Sequence, residues 1–375
     1  FPNGDGVREE RGFAFYNKLI DGLLEAGITP LMTLYHWDLP QALQDKGGWA
    51  NREIVQSFAD YATAVAQAFG DRVKMMAPIN EPWCVAWLGH GIGVHAPGIT
   101  DRKQAFAAAH HTVLAHGAAA RAIRAVRPDV KVGPVLNQDY FFASDPANPE
   151  VAHAVDVLDA QSNRWWMDAI FHGKYPDVLL EKFRSEITPL IKDGDMELAQ
   201  TPNDFLGINH YWSTKVKPSD GSAPAQFTPS NLFDLDVDTT AEGPLTDMGW
   251  PITPKHFGEG LIRWKRELGD RLPDIYITEN GVAYDDGIGS DGKINDTRRI
   301  SYLNDYIGAV GDAIAAGVPV KGYFEWSLMD NYEWSLGYGK RFGIVHVNYE
   351  TLVRTIKESG RWYSRVIANN GPSGN

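Results

Sequence analysis

The chain has little cysteine: Cys84 is the only one in 375 residues. A single thiol excludes an intrachain disulfide, and nothing has the ligand spacing of a structural zinc site. Histidine supplies no metal motif either, since His110, His111 and His116 lack i, i+4 spacing and no His-Glu-x-x-His occurs. Long apolar runs are missing too. The longest Ala-rich stretch, Ala105 to Ala125, carries His110, His111, His116, Arg121 and Arg124, which marks a helix in water and not a membrane span. No run of Lys or Arg breaks a balance of 35 basic against 48 acidic residues, formally −13, so neither nucleic acid nor an anionic membrane is an expected partner. No Gly-x-Gly-x-x-Gly or Walker-type run follows a strand-like segment, and neither a cofactor nor a metal is expected. A reducing compartment suits the lone thiol, and the cytoplasm is the expected setting.

What the chain does have is length and pattern. With 43% apolar residues, 375 residues are ample for one large core, and a single α/β catalytic domain spanning 1–375 is the expectation. Tyr276-Ile277-Thr278-Glu279-Asn280-Gly281 reads as a buried strand that delivers Glu279 at its C-terminal rim. Val73 to Pro82 has the same grammar and ends in Asn80-Glu81-Pro82. In sheets of parallel strands, chemistry collects at the C-terminal strand ends, so the two carboxylates are candidates for one pocket.

In chain order, a helix with Phe13, Tyr16, Leu19, Ile20, Leu23 and Leu24 on one face ends at Gly27, and strand Leu31 to Tyr35 exits through His36-Trp37-Asp38-Leu39-Pro40. Asn51 is placed to N-cap the next helix, which stops at Gly70. After Glu81 come a Gly/Trp/His-rich stretch to Thr100, the Ala-rich helix to Pro128, and strand Val130 to Leu136. Strand Phe205 to Tyr211 leads into Ser213 to Pro251, rich in Pro, Ser, Thr, Asp and Gly, which reads as a surface lid or rim loop. Thr253 and Pro254 suit the start of a helix to Leu268. The Glu279 strand, a helix from Thr297 to Ala316, strand Val320 to Leu328, a hairpin-like tail and a helix near Trp362 follow. Six βα units without internal repeats favour a (β/α) barrel over a solenoid, two units short of eight.

Two rim carboxylates suit glycoside hydrolysis, one as nucleophile and the other as general acid and then base. The plainer alternative is that a strand-terminal Glu caps a neighbouring helix and that Asn-Gly is turn chemistry. Aromatic residues tilt the weighing: Trp37, Trp83, Trp87, Trp212, Trp326 and Trp334 all fall at or just beyond expected strand ends, where rings can stack on sugar faces. Glu325 to Trp334 concentrates acids and aromatics in one segment and reads as a ligand loop.

Taken together, Tyr35 to Pro40, Asn80-Glu81-Pro82, Gly207 to Tyr211, Thr278 to Gly281, and Trp326 to Trp334 followed by Lys340-Arg341-Phe342-Gly343, resemble glycoside hydrolase family 1, the β-glucosidase family, over essentially the whole chain. The resemblance implies a (β/α)8 TIM barrel, six of whose βα units are visible here, and hydrolysis of terminal β-D-glucosyl residues with retention, with side activity on β-galactosides or β-fucosides. It implies Glu279 as nucleophile and Glu81 as acid/base. His36, Trp37, Asn80, Trp326, Glu333 and Trp334 match sugar-binding positions, and Tyr211 matches the tyrosine that bonds the nucleophile. Asn209 and Phe342 are further pocket positions, while Trp83 and Leu88 match the entrance. The partner implied is a small β-glucoside or cello-oligosaccharide, and a homo-oligomer is allowed.

Glu333 stands where members acting on 6-phosphoglycosides lack a carboxylate, so unphosphorylated sugars are expected. Pro78 departs from the family pattern and cannot donate a ladder hydrogen bond. The family's first two strands, with a sugar-binding Gln and an Arg supporting the nucleophile, are not in this chain, and the active protein is expected to draw them from an N-terminal segment or another chain. The rival reading is a non-catalytic sugar-binding or scaffold barrel.

Overall fold

Short β-branched and apolar runs alternate with amphipathic helices along the chain, and the computed structural model turns that alternation into parallel strands with helices between them. It describes residues 1–221 and 229–372. The chain forms two compact units. One comprises Phe1–Asn137, Asp156–Gly207 and Gly221–Asp236, and the other Gln138–Val155, Ile208–Asp220 and Val237–Asn375.

In the first unit, helix α1 (Glu10–Glu25) precedes strand β1 (Leu31–Tyr35), helix α2 (Ile54–Phe69), strand β2 (Met75–Ile79) and helix α3 (Arg102–Val126). Ile54, Phe58, Ala62, Val65 and Phe69 repeat at three- and four-residue spacing, and all are buried on one face of α2. Asn51 does not cap that helix as expected. Its side chain accepts from Glu53 N–H at 3.1 Å, an Asx turn that ends just before the helix begins. In α3 the cap is Asp101, which accepts from Gln104 N–H at 2.9 Å. His110, His111 and His116 are packed inside, and burial pushes His111 and His116 down to about 4, which leaves them neutral.

β1 and β2 pair in parallel, with the register stepping from Ala77 to Ile79 around Pro78, so the absent N–H falls where the ladder skips a residue. Beyond β2 the expected strand Val130 to Leu136 is broken into β3 (Lys131–Val132) and β4 (Val135–Asn137). Two residues cause the break. Pro134 has no N–H to give, and at Gly133 the backbone of Phe205 passes so close that a Cβ would lie 2.1 Å from its carbonyl oxygen.

Strand β5 (Phe205–Asn209) is followed in the second unit by β6 (Asp274–Asn280) and β7 (Val320–Glu325), with helices α4 (Pro254–Leu268), α5 (Thr297–Ala315) and α6 (Glu358–Asn369). β7 pairs with β6 in parallel, and Val345–Val347 with Arg354–Ile356 form the antiparallel tail. Pro254 opens α4, but the Thr253 hydroxyl accepts from Ser213 N–H at 3.0 Å instead of capping the helix.

The stretch from Ser213 to Pro251 is not simply a loop. Ser213–Pro218 is a strand that pairs in parallel with Tyr140–Ala143 and antiparallel with Val237–Thr240, while residues 222–228 lie outside the described residues. Its ladder runs through Ser213-Thr214-Lys215-Val216-Lys217, with Ser213 and Val216 buried and the lysines half-buried, a strand masked by the Pro- and Ser-rich flanks. Among the described residues, no helix is long and apolar enough to cross a membrane.

Candidate active site

Each unit gathers its own set of the expected residues at strand ends. In the first, the chain leaves β1 through His36 and Trp37, and leaves β2 through Asn80 and Glu81. The Trp37 indole donates to the Asn80 carbonyl at 2.9 Å, Asn80 N–H donates to Tyr35 O at 2.9 Å, and the Asn80 amide meets His36 Nε2 at 3.2 Å. Burial pushes His36 down to about 4, so its ring is neutral. If the Asn80 amide nitrogen donates to Nε2, the proton sits on Nδ1.

Glu81 is 6% exposed, and its N–H donates to Val135 O at 3.0 Å. The thiol of Cys84 donates to its Oε2 at 3.1 Å. Trp83 is buried and donates its indole N–H to Gln161 Oε1 at 2.9 Å, whereas Leu88 is half-buried. Trp87 is no rim residue. It is wholly buried among Phe106, Trp165, Trp166 and Phe233, with ring centroids 5.1 to 6.2 Å away, and belongs to the core.

In the second unit, Glu279 is the penultimate residue of β6, 8% exposed, and Tyr211 donates its hydroxyl to Glu279 Oε2 at 2.7 Å. The backbone aligns that pair, because His210 N–H donates to Glu279 O at 3.0 Å. Asn209 is fully buried and accepts from the Thr278 hydroxyl at 2.6 Å. Phe342 is buried with its ring 6.1 Å from that of Tyr211. Asn280 is a tie rather than turn chemistry: its amide donates to His210 O and meets Tyr302 OH, while Tyr323 OH donates to its Oδ1 at 2.6 Å. Gly281 is required by proximity, since a Cβ there would sit 1.8 Å from the Trp326 carbonyl. Trp326, Glu333 and Trp334 are half-buried in the segment after β7, and Glu333 N–H donates to Gly337 O at 2.8 Å.

Backbone conformation singles out members of both sets. Trp37, Glu81 and Trp334 have φ of 76°, 45° and 44°, three of the six non-glycine residues with positive φ among those described. Such conformations persist where the surroundings over-determine them, and they cluster at ligand sites. Cys84, Gln161 and Asn280 are not among the expected site residues. Cys84 has a signal in its place three residues past Glu81 at the start of a helical turn, and Asn280 has one in the Thr278 to Gly281 motif. Among the described residues no group of His, Cys, Asp and Glu is arranged to hold a metal ion.

A model of glycosyl hydrolase family 1 matches residues 1–372. Beta-glucosidase A of Thermotoga maritima is 45% identical over 370 residues, covering 99% of this chain and 80% of that protein. A bifunctional beta-D-glucosidase/beta-D-fucosidase of Bifidobacterium breve is 41% identical over 383 residues, covering 98% and 81%. A solved structure of beta-glucosidase from Thermotoga maritima, in complex with deoxynojirimycin, matches with a TM-score of 0.92 at 43% identity, covering 99% of this chain and 81% of that one. With the parallel βα units described above, this likeness assigns the (β/α)8 barrel fold class.

Proposed function

The chain belongs to glycosyl hydrolase family 1, and from that premise we propose that it is a retaining β-glucosidase in which Glu279 is the nucleophile and Glu81 the acid/base. The observation that carries the assignment is the hydroxyl of Tyr211 donating to Glu279 Oε2 at 2.7 Å, a fixed donor on a strand-end carboxylate that stabilises it as the resident anion.

In the first step a carboxylate oxygen of Glu279 attacks the anomeric carbon, and the proton of Glu81 passes to the glycosidic oxygen as that bond breaks and the aglycone leaves as an alcohol. In the second, Glu81, now a carboxylate, takes a proton from water whose oxygen attacks the same carbon, and Glu279 departs as a carboxylate. Two inversions give retention. Asn80, His36, Trp37, Asn209, Tyr211, Trp326, Glu333, Trp334 and Phe342 hold the sugar, with Trp83 and Leu88 toward the aglycone, and the whole chain serves as one catalytic domain. Unphosphorylated β-glucosides and cello-oligosaccharides are the substrates, with β-fucosides as side substrates, because a carboxylate at Glu333 repels a phosphate dianion. The single thiol suits a cytoplasmic setting.

Azide rescue tests the roles. Glu279→Gly is expected to lose hydrolysis and, with azide, to yield the α-glucosyl azide, whereas Glu81→Ala is expected to slow substrates with poor leaving groups and to yield the β-azide. Equal residual activity in both variants, with the same product, would overturn the assignment.

A further inference from the structure

The segment Trp326–Trp334 carries three of the proposed sugar-binding residues, yet its own regular structure is slight. What anchors it is Asp330, 4% exposed, whose carboxylate accepts from four donors. Gly343 N–H at 3.0 Å and Lys357 Nζ at 3.2 Å reach Oδ1, and Arg341 Nη1 at 2.7 Å and Val347 N–H at 3.3 Å reach Oδ2. Lys357 is fully buried at the start of α6 and also donates to Asp286 at 3.1 Å. Asp286 lies on the loop that follows Glu279, where it is paired with Arg299 of α5. Arg299, itself fully buried, is paired with Asp296 as well and donates to Val282 O at 3.3 Å and Arg341 O at 2.8 Å.

The cluster therefore holds three cations, Arg299, Arg341 and Lys357, and three carboxylates, Asp286, Asp296 and Asp330. Its members join the loop after β6 to the segment after β7. Apolar residues of the same volume would fill such a space without the cost of stripping water from charges, and they would not set a register between two loops. Lys357 is the bridging member, because its ammonium alone touches a carboxylate on each loop.

We propose that Lys357 is a positioning residue: by joining Asp286 to Asp330 it sets the Trp326–Trp334 segment, and with it Glu333, relative to Glu279. This rests on the reading above in which Glu333 holds the sugar and faces the place where a 6-phosphate would sit. Displacing a gripping group by about 1 Å is enough to cost up to about a hundred-fold in rate.

The test is a double-mutant cycle of Lys357→Met and Glu333→Ala, with kcat and KM measured on 4-nitrophenyl β-glucoside and its 6-deoxy analogue, below the melting temperature of each variant. Lys357→Met is expected to lower kcat/KM for the glucoside about ten- to a hundred-fold and for the 6-deoxy substrate much less. Added to Glu333→Ala, it is expected to cost little more, because the interaction it supports is already gone. Lys357→Arg is expected to recover part of the loss. Additive losses, or equal losses on both substrates, would show Lys357 to be a stabilising residue only and would overturn the inference. If Glu333→Ala itself spares the glucoside, the reading of Glu333 fails instead, and the cycle separates the two. Should Lys357→Met not fold, Lys357→Gln removes the charge while keeping a donor, and the same cycle applies.

Discussion

The thiol of Cys84 donates to Oε2 of Glu81 across 3.1 Å, and both side chains are buried. A thiol is a weak donor, so its value lies in orienting the carboxyl more than in stabilising charge. Orientation of an acid matters only where the leaving group needs its proton. Cys84→Ala is therefore expected to lower kcat/KM about two- to ten-fold for alkyl and unsubstituted phenyl β-glucosides, the worth of one modest hydrogen bond. The 2,4-dinitrophenyl glucoside should be spared, and Cys84→Ser should restore most of the loss. A Brønsted plot over a series of aryl glucosides checks this, and a slope unchanged by Cys84→Ala would contradict it.

Tyr211 and Glu279 form the tighter pair at 2.7 Å, held in line by the backbone bond from His210. A hydrogen bond to a charged group contributes about 1.5–3 kcal/mol, so Tyr211→Phe is expected to reduce kcat/KM by about ten- to a hundred-fold. The ring packing against Phe342 and Trp250 survives the change, so the melting temperature should hardly move. A loss under two-fold would mean that the phenol does not support the nucleophile.

The two carboxylates were legible in the sequence because a strand that ends in Glu before a turn is written in consecutive residues. The helix faces were legible for the same local reason. Long-range ties were not: Asn280 reads as half of an Asn-Gly turn, yet its side chain joins His210, Tyr302 and Tyr323, up to 70 residues away. Trp87 reads as a rim aromatic because it follows a strand end closely, but the turn that begins at Cys84 carries it back into the core. The strand Ser213–Pro218 was hidden because composition around it signals a loop, while its pairing partners lie at Tyr140–Ala143 and Val237–Thr240. The buried cluster around Lys357 has no sequence signature, since isolated Asp, Arg and Lys residues ordinarily mark the surface.

Glu325 ends β7 beside that cluster and is an ill-matched neighbour of it. As a residue it is half-buried, but both carboxylate oxygens are out of solvent and neither has a hydrogen-bond partner among the described residues. Loss of water raises its pKa well above the usual carboxylate range, against a partial counter-effect from Arg299 and Lys357, which are already matched by Asp286, Asp296 and Asp330. Asp296 adds repulsion, and the nearby Tyr323 and Tyr363 hydroxyls are held protonated by the same desolvation, Tyr363 pushed up to about 12. The sign follows from proton counting. Above the ordinary carboxylate value the unfolded chain has released this proton while the folded protein retains it, so stability falls as pH rises from there toward the folded value. Glu325→Met keeps the length of the side chain and removes the charge. The variant is expected to exceed the parent in stability by about 1–3 kcal/mol at neutral pH, the cost of an unsatisfied buried polar group, with a smaller margin near pH 5. Urea unfolding of both proteins at the two pH values measures it. A margin that stays constant with pH, or a Met variant less stable than the parent at neutral pH, would mean that the carboxylate of Glu325 is ionised and paired in the folded protein.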